Sequence, residues 1–337
     1  MYNVSVSPHV RSHNTTKDIM RDVAIAMIPI LAFGVYQFGL PALKVIAISI
    51  ITCVLSELLF ELVSKKPITV SDYSAVVTGM ILAINLPASV AWWIPVIGGV
   101  FAIIAVKMLF GGLGQNFMNP ALAARCFLLI SFTSRMNDFS SKGTLVEQIT
   151  AIKANGFAAF KAADAVASAT PLSSLKVGEA PDVLTLFLGF HGGCIGEVSA
   201  LAVLVGGLYL IVKKVISPRI PFAYIASTIV FIGVITYVKG GVDSFPIEYL
   251  AGELFAGGLL VGAFFMATDY VTSPITARGQ ILYGIILGLL TALFRTLGSA
   301  NEGVSYAIII GNLLVPLIEK ITVPKPFGCE KAKGGNE

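Results

Sequence analysis

Charge is what this chain has least of: 12% of its 337 residues are Asp, Glu, Lys or Arg, against about 25% in an ordinary soluble protein. With 56% of the residues apolar, too little polar surface remains to clothe a water-soluble globule. Histidine and cysteine are scarce as well. His9, His13 and His191 are too scattered for a metal or haem site. The four cysteines, at 53, 126, 194 and 329, form no C-x-x-C pair, which excludes a zinc centre and a self-contained iron-sulfur cluster. There is no G-x-x-x-x-G-K-[ST] loop, no dinucleotide fingerprint and no Ser-His-Asp or Cys-His grouping, so no residue is assigned a catalytic role. The polar stretch before Val23, with Arg11, Lys17 and Arg21, does not resemble a cleavable signal, and the first span is expected to direct its own insertion.

What the chain does have is long apolar runs. They fall near 23–38, 42–63, 74–86, 92–110 and 120–132, then near 196–212, 222–238, 250–267, 280–297 and 304–321. Lipid leaves backbone amides no partner outside their own helix, so apolar runs approaching ~20 residues read as membrane helices. The expected fold is an all-α integral membrane protein of about ten transmembrane helices. The third and fifth runs are short for a crossing.

With the N-terminus inside, fifteen basic residues, Arg21, Lys107 and Arg125 among them, fall on the inner side, and the short outer loops hold only Lys44, Lys239 and Arg295. This asymmetry puts both termini in the cytoplasm. The net charge of +4 then reports topology and not a nucleic-acid partner. Trp92 and Trp93 fit an interfacial aromatic belt.

One long hydrophilic stretch, 134–182, faces outward and splits the spans into two sets of five. An odd number per set inverts the second relative to the first, so two inverted five-helix repeats are expected. The organisation is then 1–22 cytoplasmic, 23–133 first repeat, 134–182 outer loop, 183–322 second repeat and 323–337 cytoplasmic tail. The third run is interrupted at Asn85-Leu86-Pro87, and its counterpart, the eighth, passes through Gly257-Gly258 and Gly262. Paired broken spans point to a midplane site; glycines that merely permit close packing give the same pattern.

Within the outer loop, Asp164-Ala165-Val166-Ala167-Ser168-Ala169-Thr170-Pro171-Leu172 surrounds one hydroxyl with small residues. Pro171 restricts Thr170 to extended backbone, so the hydroxyl is expected to be presented to a modifying enzyme. Composition alone reads the stretch as an ordinary Ala/Ser-rich loop.

The segment resembles the D-x-x-[ST]-G-A-T signature at which a flavin transferase esterifies FMN to threonine, with Ala167 and Ser168 as departures from it. Two further stretches, Gly111-Gly112-Leu113-Gly114-Gln115-Asn116-Phe117-Met118-Asn119-Pro120-Ala121 and Thr268-Asp269-Tyr270-Val271-Thr272-Ser273-Pro274, extend the likeness over nearly the whole chain. It is similar to the family that contains the D subunit of the Rnf ferredoxin:NAD oxidoreductase and the B subunit of the sodium-pumping NADH:quinone oxidoreductase. The 22 residues before the first span favour the Rnf branch, because the quinone-reducing relative carries a longer extension.

The resemblance implies a flavoprotein electron relay, not catalytic alone, in a bacterial inner-membrane complex that couples ferredoxin:NAD electron transfer to Na+ or H+ export. It implies FMN as a phosphoester on Thr170, with Asp164, Ser168, Ala169, Pro171 and Leu172 completing the motif. Asn116 and Asn119, joined by Asp269 and Thr272, become partners for a non-covalent riboflavin on the inner side; helix capping accounts for the two asparagines equally well. Partners are a second covalent-FMN subunit, iron-sulfur subunits and lipid, since this chain lacks the means to bind NAD or ferredoxin clusters. A quinone-reducing B-type subunit and an inverted-repeat solute channel are the alternatives.

Carboxylates within apolar runs are costly and therefore functional candidates. Glu57 and Glu61 share a helix face, and Glu197 and Glu253 stand near the starts of the sixth and eighth runs. They are candidates for a cation path, with a Glu61–Lys65 pair and helix capping as the plainer alternatives.

Overall fold

The computed structural model describes residues 15–141, 143–162, 170–177, 182–240, 247–298 and 302–324. The described residues are helical, without strands apart from one isolated antiparallel bridge, Pro87 to Cys194. Five helices are long and apolar enough to cross a membrane: α1 (Thr16–Phe38), α2 (Leu40–Val63), α11 (Arg219–Gly240), α14 (Ala277–Leu297) and α15 (Val304–Thr322). A sixth candidate is a bent pair, α12 (Ile247–Phe255) followed by α13 (Leu259–Val261) and a π-helical turn Gly262–Met266, which meet at 54° as a broken span or a re-entrant loop. Four shorter apolar elements complete the set: α3 (Ser74–Ile84), α4 (Trp93–Val100) continued by a π-helix Phe101–Met108, α5 (Pro120–Ser131) and α10 (Ala200–Val212). Each coincides with one of the apolar runs, and the protein is an all-α membrane protein.

Local chemistry sets the ends. Thr15 and Asp18 form a capping box, Thr15 Oγ1 accepting from the Asp18 amide at 3.3 Å and Asp18 Oδ2 from the Thr15 amide at 3.2 Å. Asn119 caps α5, with Pro120 at the first helical position, where its missing amide costs nothing. Gly39 turns the chain between α1 and α2 at φ +70°, a conformation side chains disfavour. That turn is closed from the connecting segment by Gln148 of α7 (Leu145–Ala162), which accepts from the Leu40 amide at 3.0 Å and donates to the Phe38 carbonyl at 2.9 Å. The α1–α2 junction and the connecting segment therefore share one end of the bundle.

The same neighbours recur in both sets of five. The second helix packs on the third and fourth in each (α2 on α3 and α4; α11 on α12 and α14), while first meets first (α1 on α10) and fifth meets fifth (α5 on α15). Glycines let these backbones close up. A Cβ on Gly79 would stand 2.7 Å from Ile50 Cα, and one on Gly284 3.0 Å from the Tyr224 nitrogen. The break after α3 is closed by the other half: the Ile195 amide bonds Leu86 O at 3.1 Å and the Gly196 amide bonds Ile84 O at 2.8 Å. Backbone freed by an interrupted span has to find partners in protein when lipid offers none.

Candidate functional site

Two cavities occupy opposite ends of the broken spans. The one on the side of the connecting segment, named the outer cavity for that position in the bundle alone, encloses about 400 Å³ and is lined by Asn85, Arg125, Thr170, His191, Glu197 and Glu302 among others. Thr170 precedes α8 (Pro171–Val177), and its carbonyl accepts from the Ser173 amide at 2.9 Å and from Ser173 Oγ at 2.6 Å. Leu172 and Leu175 pack with Leu186 and Ala256, anchoring α8 over the break in the eighth span. The backbone of Thr170 is thereby fixed while its hydroxyl is buried without a hydrogen-bond partner among the described residues. The expectation of a hydroxyl standing out from the loop is corrected here: Thr170 Oγ1 is buried, because Leu172 packs the following helix down onto the bundle. Pro171 and Leu172 lie beside it, whereas Asp164, Ser168 and Ala169 lie outside the described residues.

A buried charge cluster forms the floor of this cavity. Arg125 of α5 donates to Asn85 Oδ1 at 2.6 Å, Ser305 Oγ at 3.1 Å, Glu197 Oε1 at 2.9 Å and the Glu302 carboxylate. Glu302 also accepts from the Gly258 amide at 2.6 Å. His191 stands at the same cavity, its Nδ1 3.0 Å from the Gly192 carbonyl and its ring also hydrogen-bonded to the Val198 backbone. Burial holds the His191 pKa below the usual imidazole value. Glu253, expected on a cation path, pairs instead with Arg295 at 3.0 Å.

The inner cavity is a narrower slot of about 100 Å³. Asn116, Asn119 and Asp269 all line it, with Ser74, Thr78 and Lys107. Thr272 stands behind, its Oγ1 3.3 Å from Asp269 Oδ2, so the four sequence candidates do come together. Asn119 Oδ1 accepts from the Ala121 and Leu122 amides at 3.1 and 3.3 Å, which is the capping role, and Asn116 Nδ2 bonds Met118 O at 3.0 Å. Burial pushes the Asp269 carboxyl up from its ordinary value.

The two glutamates of α2 part company. Glu57 takes both oxygens to Lys107 Nζ, at 2.8 and 2.9 Å. Glu61 does not pair with Lys65 among the described residues; it accepts the Thr69 amide at 3.1 Å and the Thr69 hydroxyl, tying the end of α2 to the following turn. Sequence reading missed Lys107, Arg125 and Glu302. The first two entered only as inner-side charges, and Arg125 proves to sit against the outer cavity. Lone basic residues inside apolar runs were the available signal.

The NQR2, RnfD, RnfE family model matches residues 3–328. The chain belongs to the NQR2, RnfD, RnfE family. Among curated family members, the D subunit of the Na(+)-translocating ferredoxin:NAD(+) oxidoreductase complex of Acetobacterium woodii is 48% identical over 335 residues, covering 98% of this chain and 96% of the relative. The D subunit of the proton-translocating ferredoxin:NAD(+) oxidoreductase complex of Clostridium ljungdahlii is 39% identical, covering 98% and 97%. The D subunit of the ion-translocating oxidoreductase complex of Aliivibrio salmonicida is 35% identical, covering 97% and 99%.

The residues present fit the cofactors that the resemblance implies. Thr170 lines the cavity that an esterified flavin would occupy, and its hydroxyl is committed to no hydrogen bond among the described residues. At the inner end, amides and a carboxyl against Ile19, Leu210, Phe264 and Phe265 offer polar contacts to a ring edge and apolar walls to its faces, and a planar ring suits a slot.

Proposed function

We propose that this chain is the D-type member of an ion-translocating ferredoxin:NAD oxidoreductase complex, a membrane relay that carries FMN as a phosphoester on Thr170 and riboflavin in the inner slot. The similarity of the chain over nearly its full length to three such D-type relatives supports the assignment to the complex. The observation that carries the relay reading is that Thr170 lines a cavity while its hydroxyl is buried and unpartnered among the described residues. A buried hydroxyl without a hydrogen bond costs about 1–3 kcal/mol, a cost that esterification removes.

A flavin supplies the capacity to pass electrons singly. The residues of this chain do the rest. Ser173 and the Leu172 contacts hold Thr170 over the cavity. Arg125, braced by Glu197 and Glu302, fixes a polar floor beneath it. At the other end Asn116, Asn119 and Asp269 present polar atoms to the second ring. In this reading residues 23–133 and 183–322 are inverted repeats, 134–182 lies outside the bacterial inner membrane, and 1–22 and 323–337 are cytoplasmic. Other members of the complex, with a second covalent FMN and iron-sulfur clusters, deliver and remove electrons. An electron crossing the membrane moves against about 2.3 kcal/mol per 100 mV, which an accompanying cation offsets.

Mass spectrometry of the Thr170 peptide, from protein matured with the flavin transferase of its host, tests the reading. An added FMN mass on Thr170 is expected; a bare peptide overturns the relay and favours an inverted-repeat channel.

A further inference from the structure

Lys107 is an expensive residue to place where it is. Its side chain is 3% exposed and it stands in an apolar span, where an ammonium is tolerated only with partners. The π-helix Phe101–Met108 carries it. Single π-turns inside α-helices recur at functional sites, since the extra residue per turn redirects a side chain that regular α geometry would aim elsewhere. Three contacts saturate the ammonium: both oxygens of Glu57, at 2.8 and 2.9 Å, and Ser74 Oγ at 2.6 Å. A buried ion pair is weak evidence for stability, because apolar residues of similar volume often serve as well. Its placement is more telling. Lys107 and Ser74 line the inner slot, whereas Glu57, 1% exposed, is not among the residues that line it, so of the buried pair only the cationic residue borders the space. Asn116 and Asp269 line the same slot; Asp269, the other charged group there, is held by the Val271 amide at 3.4 Å and Thr272 Oγ1 at 3.3 Å.

We propose that Lys107 is the electrostatic partner of the flavin in the inner slot, raising its reduction potential, and that Glu57 is the positioning residue that sets how much of the ammonium charge the ring experiences. The inference rests on the inner flavin of the proposed function. When one electron enters the ring no bond breaks and no proton has to move; the added negative charge falls on a group already facing an ammonium. In the low dielectric of a membrane interior such a charge acts strongly.

The two residues have opposite signs, which makes the test directional. The full-length chain is purified from membranes without the flavin transferase and loaded with riboflavin. Bound riboflavin is quantified after extraction, and its midpoint potential is read by spectroelectrochemical titration. Lys107→Met removes the ammonium that borders the slot and is expected to lower the potential, shifting the one-electron equilibrium about tenfold, or about 59 mV. Glu57→Gln frees the ammonium and is expected to raise it by a similar factor. Lys107→Arg restores it towards the native value, and Lys107→Met with Glu57→Gln, which leaves no unpaired charge, keeps the measurement possible should the single variants misfold. Potentials that stay put, or that move in the same direction in both single variants while riboflavin remains bound, overturn the role of Lys107 and leave the relay intact. A native chain that binds no riboflavin overturns the inner-flavin reading and this inference together.

Discussion

Arg125 Nη2 lies 2.9 Å from Glu197 Oε1, joining the fifth span to the segment that opens the sixth. The same guanidinium reaches Asn85 at the break of the third span and Ser305 at the start of the tenth. One side chain thus ties α5 to the end of α3, to the segment before α10 and to the start of α15 beneath the cavity that Thr170 lines.

Removing Arg125 leaves Glu197 and Glu302 buried without their counter-charge. Loss of one partner from a buried ion pair costs about 3–5 kcal/mol, so Arg125→Met is expected to lower the melting temperature in detergent strongly. Glu197→Gln keeps an oxygen for Arg125 and should lower it much less. Equal effects would contradict the account of the floor.

Thr170→Val tests the orphaned hydroxyl from the stability side. In protein without flavin the substitution removes a group that makes no hydrogen bond, so melting is expected to be unchanged or slightly raised. In protein matured with the transferase, flavin fluorescence of the denatured band should vanish.

His191 predicts a pH dependence with a definite sign. Burial lowers its pKa in the folded state from the usual 6.5, so over the interval between the two values the unfolded chain binds more protons. Stability therefore rises with pH across that interval and falls on acidification below about 6.5. His191→Gln, which does not titrate, should flatten the melting curve between about pH 5 and 7.

Gly79→Ala should separate α2 from α3. The added Cβ meets Ile50 Cα at 2.7 Å and Ser49 O at 3.0 Å, both backbone atoms that cannot step aside. Overpacking of this kind costs about 1–3 kcal/mol. At Gly193 the nearest atom to a new Cβ is 3.9 Å away, on Glu197, and alanine there should melt like the native protein.

Much of this architecture is legible in the sequence because bilayer physics writes it there. Apolar runs locate the crossings, and Asn85-Leu86-Pro87 and Gly257-Gly258 mark the broken ones. The Asn-x-x-Asn-Pro stretch and Asp269-to-Thr272 lie together at the inner slot, a juxtaposition that resemblance, and not spacing, leads one to expect. What escaped was pairing at a distance. Lys107 finds Glu57 fifty positions upstream and Arg125 finds Glu302 177 positions downstream, and a basic residue in a span reads the same whether it marks topology or meets a carboxylate. The π-turn that redirects Lys107 has no signature in composition. Glu61 differed for a local reason, since the turn after α2 brings the Thr69 amide to it ahead of Lys65.

The amides of Ile195 and Gly196 close carbonyls left open at Leu86 and Ile84. Neither set of five helices can therefore satisfy its own main chain by itself. A gene cut within the connecting segment would yield two fragments that mature only by meeting in one bilayer, each supplying the donors or acceptors its counterpart leaves bare.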